Sequence, residues 1–306
     1  MSGVEASRIG TAAAPAAFTA GSARQVFADY VSLTKPKVQS LLLLTTVTTM
    51  YVAGDPSLAL VFWTVLGGSL ASGGAGAVNH WYDRDIDARM ARTATRPVPA
   101  GRIAPRAALS FGVALAAASF VQLSLTVNVL SAALALCGFL GYVFVYTIWL
   151  KRKTPQNIVI GGAAGAVPPL VAWAAVTGRV ELTALYLFAI VFYWTPPHFW
   201  ALSLLMKDDY ARVGVPMMPV VRGEEETRQL IVLYTVLLVA LSLMPVVFGY
   251  FGLIYGSIAV VLGGAFISIT LRLWREAERR SALRAYLFSL AYLALLFCAM
   301  VLDARL

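Results

Sequence analysis

The chain is poor in charge, in cysteine and in histidine. Of its 306 residues, 13% are Asp, Glu, Lys or Arg against 59% hydrophobic, and the mean hydropathy is +0.76. A soluble domain of this length needs more charge to cover its surface, so the composition excludes one and points to the membrane class. Only two cysteines occur, Cys137 and Cys298, both inside apolar runs. They exclude a disulfide framework and a CxxC metal site, and each reads as a small hydrophobe. The first residues, about Met1 to Val26, are rich in Ala, Ser, Gly and Thr and lack the apolar core of a cleaved signal peptide. This predicts a disordered cytosolic tail over 1–26 and a single polytopic domain over 27–306.

Long apolar runs are plentiful instead. A spanning helix needs about 20 mostly apolar residues. Nine stretches qualify, near 38–53, 58–80, 105–126, 129–149, 157–177, 182–204, 229–249, 252–271 and 283–302. They predict an all-α integral membrane protein, a bundle of nine transmembrane helices around a central cavity. The first stretch is the shortest and carries Thr45, Thr46, Thr48 and Thr49, whose hydroxyls can bond back to backbone carbonyls. The net charge of +9 does not describe a nucleic-acid binder, because the cations lie between the apolar stretches. All but Arg179 and Arg305 of the 24 Lys and Arg fall on one side of a nine-span path. The positive-inside rule makes that side, with the N-terminus, cytosolic. The opposite connectors are short, so the cavity and its chemistry are expected to open at the cytosolic face.

Two acidic groups end helices on that face. In Asn79-His80-Trp81-Tyr82-Asp83-Arg84-Asp85-Ile86-Asp87, the residues Asn79, Asp83 and Asp87 stand at i, i+4 and i+8. A continued helix places them on one face about 6 Å apart along its axis, with Asp85 pointing elsewhere. Three oxygen-bearing side chains on one stripe suit a hard divalent cation that keeps ligand positions for phosphate. The other group, Lys207-Asp208-Asp209-Tyr210, is expected to face the first across the cavity, with Mg²⁺ bridging both to a diphosphate. The bland alternative is a solvated acidic turn balancing nearby arginines. Arg96, Arg102, Lys151, Arg152 and Lys153 border the same face and can bind phosphate or carboxylate oxygens, or anchor the chain at lipid headgroups. Arg96 and Arg102 flank the Pro97-Val98-Pro99-Ala100-Gly101 turn, whose prolines fix a loop geometry.

Asn79-xxx-Asp83-xxx-Asp87, followed by Arg96-Pro97-Val98-Pro99-Ala100-Gly101-Arg102, resembles the UbiA-type intramembrane prenyltransferases. Finer stretches are similar to one branch, the protoheme farnesyltransferases or heme O synthases. These are Leu33-Thr34-Lys35-Pro36-Lys37, the segment 79–87, Lys151-Arg152-Lys153-Thr154-Pro155-Gln156-Asn157, Pro197-His198-Phe199-Trp200, and Asp209-Tyr210 through Val221. The resemblance implies a multi-pass enzyme of the inner cell membrane. Its substrates would be farnesyl diphosphate, ionised with Mg²⁺, and heme B, whose vinyl group captures the farnesyl cation and then water. It implies Asn79, Asp83 and Asp87 as the first metal and diphosphate motif, with Asp208 and Asp209 as the start of the second. The family often repeats an Asp four residues on, where this chain has Arg212 and Val213, so which of Asp208 and Asp209 is a ligand stays open. Tyr146 matches a tyrosine placed near the allylic carbon. Heme A synthase or a terminal oxidase assembly would be a partner, alongside membrane lipid.

His198, one of two histidines, follows Pro196-Pro197 and either binds the heme iron or is a hydrogen-bonded residue supporting its helix. Tyr193 and Trp194 could steady a cation through their rings or simply pack in the core. His80 is expected at the interface, about 100° from Asn79. Gly161, Gly162 and Gly165 permit close helix packing, and Pro168-Pro169 should bend their helix. Two other functions compete. Prenylation of an aromatic acid in quinone synthesis would use the same fold, while a cation-coupled transporter would place its charges nearer the midplane.

Overall fold

The computed structural model describes residues 22–306. The tail expected over 1–26 therefore lies mostly outside the described residues, and its last positions belong to a helix. That helix, α1 (Ala23–Leu33), starts at Ser22, whose hydroxyl accepts from the Gln25 amide at 3.3 Å as an N-cap. In chain order there follow α2 (Pro36–Ala53), α3 (Leu58–Tyr82), α4 (Arg84–Asp87), α5 (Pro105–Thr126) and α6 (Val129–Leu140), which runs on as a π-helical stretch, Gly141–Leu150. Then come α7 (Asn157–Gly165), α8 (Pro168–Thr177), α9 (Leu182–Leu205), α10 (Lys207–Arg212), α11 (Met218–Val221), α12 (Gly223–Val247), α13 (Leu253–Glu276) and α14 (Arg279–Arg305).

Each predicted apolar stretch coincides with a helix or with a pair of consecutive helical segments. Seven of these helices are long and apolar enough to cross a membrane. The other two, α2 and α9, are diluted by threonines and by Tyr193, Trp194, Pro196, Pro197 and His198 respectively. The threonines of α2 behave as expected where they can. Thr45 and Thr46 both donate to the Leu42 carbonyl at 2.9 Å, and Thr48 donates to that of Leu44 at 2.7 Å. The Thr49 hydroxyl is buried without a partner among the described residues.

Small residues bring the helices together. A Cβ on Gly74 of α3 would stand 2.6 Å from the Gly112 carbonyl of α5, and one on Gly112 would stand 2.7 Å from Val78. These glycines let the two backbones touch, as interfaces between membrane helices require. Ser119 adds a hydrogen bond from α5 to the Gly67 carbonyl at 2.7 Å. Pro168 and Pro169 break the helix between α7 and α8, as their missing amides dictate. The last long helix, α14, packs on both α2 and α9 and closes the bundle. Buried hydroxyls pin α12, α13 and α14: Tyr255 donates to the Ser242 carbonyl at 2.6 Å and Tyr292 to the Ser242 hydroxyl at 3.0 Å. Large apolar side chains such as Leu58, Leu125, Val247 and Leu253 point outward, as they do on a lipid-facing surface. Cys137 and Cys298 also face outward and are free.

Candidate active site

The acidic stripe forms because the helical ladder continues through the end of α3. The Asp83 amide donates to the Asn79 carbonyl at 2.9 Å and the Asp87 amide to that of Asp83 at 2.8 Å, so α4 carries on the same face. Asp83 is 0% and Asp87 3% exposed, which a solvated turn would not produce. Buried carboxylates need partners, and each has them. Lys151 and Arg152 reach Asp83, and Arg96 meets Asp87 at 2.7 Å. Asn79 donates through Nδ2 to Asp83 at 2.7 Å and to the Thr147 hydroxyl at 3.2 Å, while its Oδ1 accepts from Lys35 at 2.6 Å. Asp85 turns outward, as expected, and takes both arms of Arg152 at 2.7 Å. That fork holds its carboxyl below the usual range.

Lys35 was not foreseen as part of this cluster. It stands at the N-cap of α2 with φ 54°, a left-handed backbone that a non-glycine residue rarely adopts. Burial, with Arg96 and Lys151 nearby, pushes its ammonium group down to about 7, against the opposing pull of Asp83 and Asp87. The available signals were Pro36, which bars the right-handed region to the residue before it, and the position of Lys35 at a helix entry.

The second acid-bearing segment meets the first, though not through its carboxylates. Val213, Val215 and Met217 pack with Ile86, Met90 and Ile158, and Tyr146, Phe199 and Tyr210 join the same apolar cluster. Apolar packing thus joins the two acid-bearing segments. Two clefts open away from the stripe: an apolar groove of about 570 Å³ between α1 and Phe111, and one of about 230 Å³ between α9, α12 and the start of α14. Asp208 is exposed, and Asp209 pairs with Arg212 at 3.2 Å. Burial pushes the Tyr210 phenol up against the pull of Arg92 and Arg96, with Asp209 and Asp87 adding to the rise.

Several expected residues stand apart from the stripe. Arg102 forks onto Asp29 of α1, with contacts of 2.9 Å, 3.1 Å and 3.2 Å, because Asp29 is buried and needs a cation. Lys153 is exposed beyond the turn that turns Lys151 inward. His80 is buried, not interfacial, and its Nδ1 has no partner among the described residues. Tyr193 pairs with Phe192 and Tyr234, and Trp194 donates to the Ser289 carbonyl at 2.7 Å. His198 reaches Ser289 on α14. Tyr146, by contrast, is placed with the cluster. It lies on the π-helical stretch, where the Lys151 amide donates to its carbonyl, a wide turn of a kind frequent at functional sites. Its ring lies 5.2 Å from that of Tyr142. Gly161 gives it room, since a Cβ there would stand 2.4 Å from the ring; Gly162 does the same for Thr195, while Gly165 faces open space.

The stripe offers Asn79 Oδ1 and two carboxylates to a divalent cation. No group of three His, Cys, Asp or Glu side chains suited to a metal occurs among the described residues. The donors fit Mg²⁺ only in the mode where one or two carboxylates share the ion with substrate phosphates and water. Four cations, Lys35, Arg96, Lys151 and Arg152, surround these acids and suit an anionic ligand.

An all-helical membrane bundle with buried acids and cations at one end of its helices defines an intramembrane enzyme or transporter of anionic substrates. The family model for the UbiA prenyltransferase family matches residues 42–296, and the chain belongs to that family. It is 56% identical over 277 residues to the protoheme IX farnesyltransferase of Roseiflexus sp. (strain RS-1), covering 90% of this chain and 52% of that protein. It is 54% identical over 283 residues to the protoheme IX farnesyltransferase of Symbiobacterium thermophilum, covering 91% and 95%. The chain thus spans about half the length of the Roseiflexus and Chloroflexus relatives it matches. Among solved structures it resembles a digeranylgeranylglyceryl phosphate synthase, with TM-score 0.76 and 19% identity over 92% of this chain and 100% of that one. A UbiA homolog from Archaeoglobus fulgidus bound to DMAPP and Mg²⁺ aligns with TM-score 0.66 and 17% identity over 89% and 99%. At these identities the likeness is one of fold.

Proposed function

We propose that the chain transfers the farnesyl group of farnesyl diphosphate to a vinyl group of heme B, with addition of water, giving heme O and diphosphate. The observation that carries the reading is the pair of fully buried carboxylates, Asp83 and Asp87, ringed by Lys35, Arg96, Lys151 and Arg152. The names of the curated relatives supply the substrates.

Mg²⁺, when bound, would neutralise the charge that develops on the diphosphate leaving group. Asp83 and Asp87 would hold it, with Asn79 Oδ1 at the head of the stripe. Lys35, Arg96 and Lys151 would turn from carboxylate and amide oxygens to phosphate oxygens, stabilising the departing group as the allylic carbon–oxygen bond breaks. The vinyl π pair of the porphyrin then forms the new carbon–carbon bond. Water adds to the resulting cation and releases its proton to solvent. Tyr146 offers its ring face to the allylic cation, an effect of about 0.5–2 kcal/mol. Asp209 and Tyr210 would close the site from the second segment. The helices from α2 to α14 would cross the membrane nine times, with the acidic stripe and the N-terminus cytosolic, as the Lys and Arg asymmetry supports. In bacteria this is the inner membrane, where product would pass to heme A synthase or a terminal oxidase assembly.

The experiment is turnover of heme B with farnesyl diphosphate and Mg²⁺ by membranes containing the chain, with pigments separated by reversed-phase chromatography. A more retained heme is expected, and it should be absent from Asp83→Ala membranes. Alkylation of an aromatic acid with no change in heme would refute the reading.

A further inference from the structure

His198 lies on α9 one residue before Phe199, which belongs to the apolar cluster joining the two acid-bearing segments. Its ring is held between the faces of Trp194, with centroids 4.3 Å apart, and Tyr286, 4.9 Å apart. The Phe199 ring meets the imidazole at right angles, with centroids 5.3 Å apart. A planar ligand therefore cannot stack on the imidazole, and only the rest of its edge is left to a further partner. One edge nitrogen is committed, because Nδ1 lies 2.7 Å from the Ser289 hydroxyl. That hydroxyl is also 2.6 Å from the carbonyl oxygen of Tyr286. Two oxygens this close need a proton between them, and a serine hydroxyl carries only one. Ser289 thus donates to Tyr286 and accepts from His198. The imidazole proton is on Nδ1 and the lone pair on Nε2. The Ser289 carbonyl accepts from Trp194 Nε1 at 2.7 Å, so the same residue holds one of the two rings that sandwich His198.

We propose that Ser289 is a positioning residue that locks His198 in its Nδ1–H tautomer and so presents Nε2 as an axial ligand to the iron of the porphyrin acceptor. The inference rests on the proposed reading of heme B as substrate. Metal-bound histidines almost always donate their other ring N–H to an oxygen acceptor, which is the arrangement seen here. An edge-on imidazole also meets a macrocycle at right angles, with its lone pair directed at the metal. Nε2 has no hydrogen-bond partner among the described residues, and a polar side chain placed inside a membrane bundle is costly enough to be functional by default.

The test uses the full chain purified in detergent, titrated separately with ferric protoheme IX and with metal-free protoporphyrin IX, and followed by absorption and electron paramagnetic resonance. The wild type should bind the iron form more tightly and show a nitrogen-ligand signature. His198→Ala should lose both the signature and the preference for iron. Ser289→Ala should weaken ferric protoheme binding about 10-fold and leave protoporphyrin binding unchanged, and Ser289→Thr, which keeps the hydroxyl, should restore the wild-type value. An unchanged iron spectrum in His198→Ala overturns the inference. So do equal losses for both porphyrins in Ser289→Ala, which mark a merely structural tie between α9 and α14. If the wild type farnesylates heme B while His198→Ala keeps the wild-type spectrum, the ligand role alone falls. If the wild type neither binds heme nor modifies it, the functional reading falls as well.

Discussion

Lys35 donates to Asn79 Oδ1 at 2.6 Å across 44 positions of sequence, tying the entry of α2 to the head of the acidic stripe. Its left-handed backbone marks a cation held in place under strain, and burial with the neighbouring Arg96 and Lys151 lowers its ammonium pKa to about 7, so that added negative charge would favour the ammonium form. A diphosphate supplies that charge. Lys35→Ala should therefore raise the apparent Kd for farnesyl diphosphate about 10- to 100-fold, the range of one hydrogen bond to a charged group. Equilibrium binding of the diphosphate to purified protein checks this. Lys35→Arg should not rescue binding, because a planar fork cannot replace a compact ammonium group in this turn.

Asp83 is the most enclosed acid of the stripe, and it has two cations on it. Its removal leaves the largely buried Lys151 without its carboxylate, a change that costs about 3–5 kcal/mol for a buried pair. Loss of turnover in Asp83→Ala would thus mix chemistry with stability. Asp83→Asn keeps the shape and accepts one hydrogen bond, so it separates the two. Its melting temperature should lie between those of wild type and Asp83→Ala, while farnesyl transfer at saturating Mg²⁺ should stay as low as in Asp83→Ala. Thermal denaturation and product chromatography on the same preparations decide it.

How much of this was legible beforehand depends on the range of the interaction that fixes each feature. The long helices were, because apolar runs and the breaks at Pro168-Pro169 are local properties of the chain. So was the stripe Asn79, Asp83 and Asp87, since its spacing survives the change from α3 to α4. The helix α1 was not, because its short segment is amphipathic, its first residues, 23–26, being read with the polar tail and the rest as the start of the domain with no helix assigned. Lys35, which was read only within the family-like stretch 33–37 and the charge census, and Ser289, which was not singled out, depend on partners 44 and 91 positions away, and no local pattern reports such a contact. The wide turn bearing Tyr146 is also a tertiary effect, since its sequence is that of an ordinary apolar helix.

Arg96 and Arg102 flank one turn and looked equivalent, yet they reach different acids. Arg96 pairs with Asp87 in the stripe, and Arg102 forks onto Asp29 of α1. Arg96→Ala should raise KM for farnesyl diphosphate about 10-fold or more and, because it leaves the buried Asp87 without its cation, also lower the melting temperature. Arg102→Ala should lower the melting temperature and free α1 while KM stays near the wild-type value. Limited proteolysis near Ser22 reads the release of α1 directly. Equal effects of the two changes on KM would return Arg102 to the substrate site.

Gly161 and Gly165 stand four residues apart on α7 and provide the sharpest comparison. A Cβ at Gly161 would lie 2.4 Å from the Tyr146 ring and 3.0 Å from its Cβ, whereas one at Gly165 meets nothing within 4 Å. Overpacking of this kind costs about 1–3 kcal/mol, unless the neighbour moves away. In Gly161→Ala the aromatic ring is what must move, since it is the flexible partner. Because Tyr146 packs in the cluster that joins the two acid-bearing segments, its displacement should lower kcat for farnesyl transfer several-fold more than it lowers stability. Gly165→Ala should leave kcat unchanged and, by replacing a flexible residue within a helix, raise stability by about 0.5–1 kcal/mol. Steady-state kinetics and thermal denaturation of the two variants check the pair. A Gly161→Ala protein with wild-type kcat would show that the position of Tyr146 does not matter to the reaction.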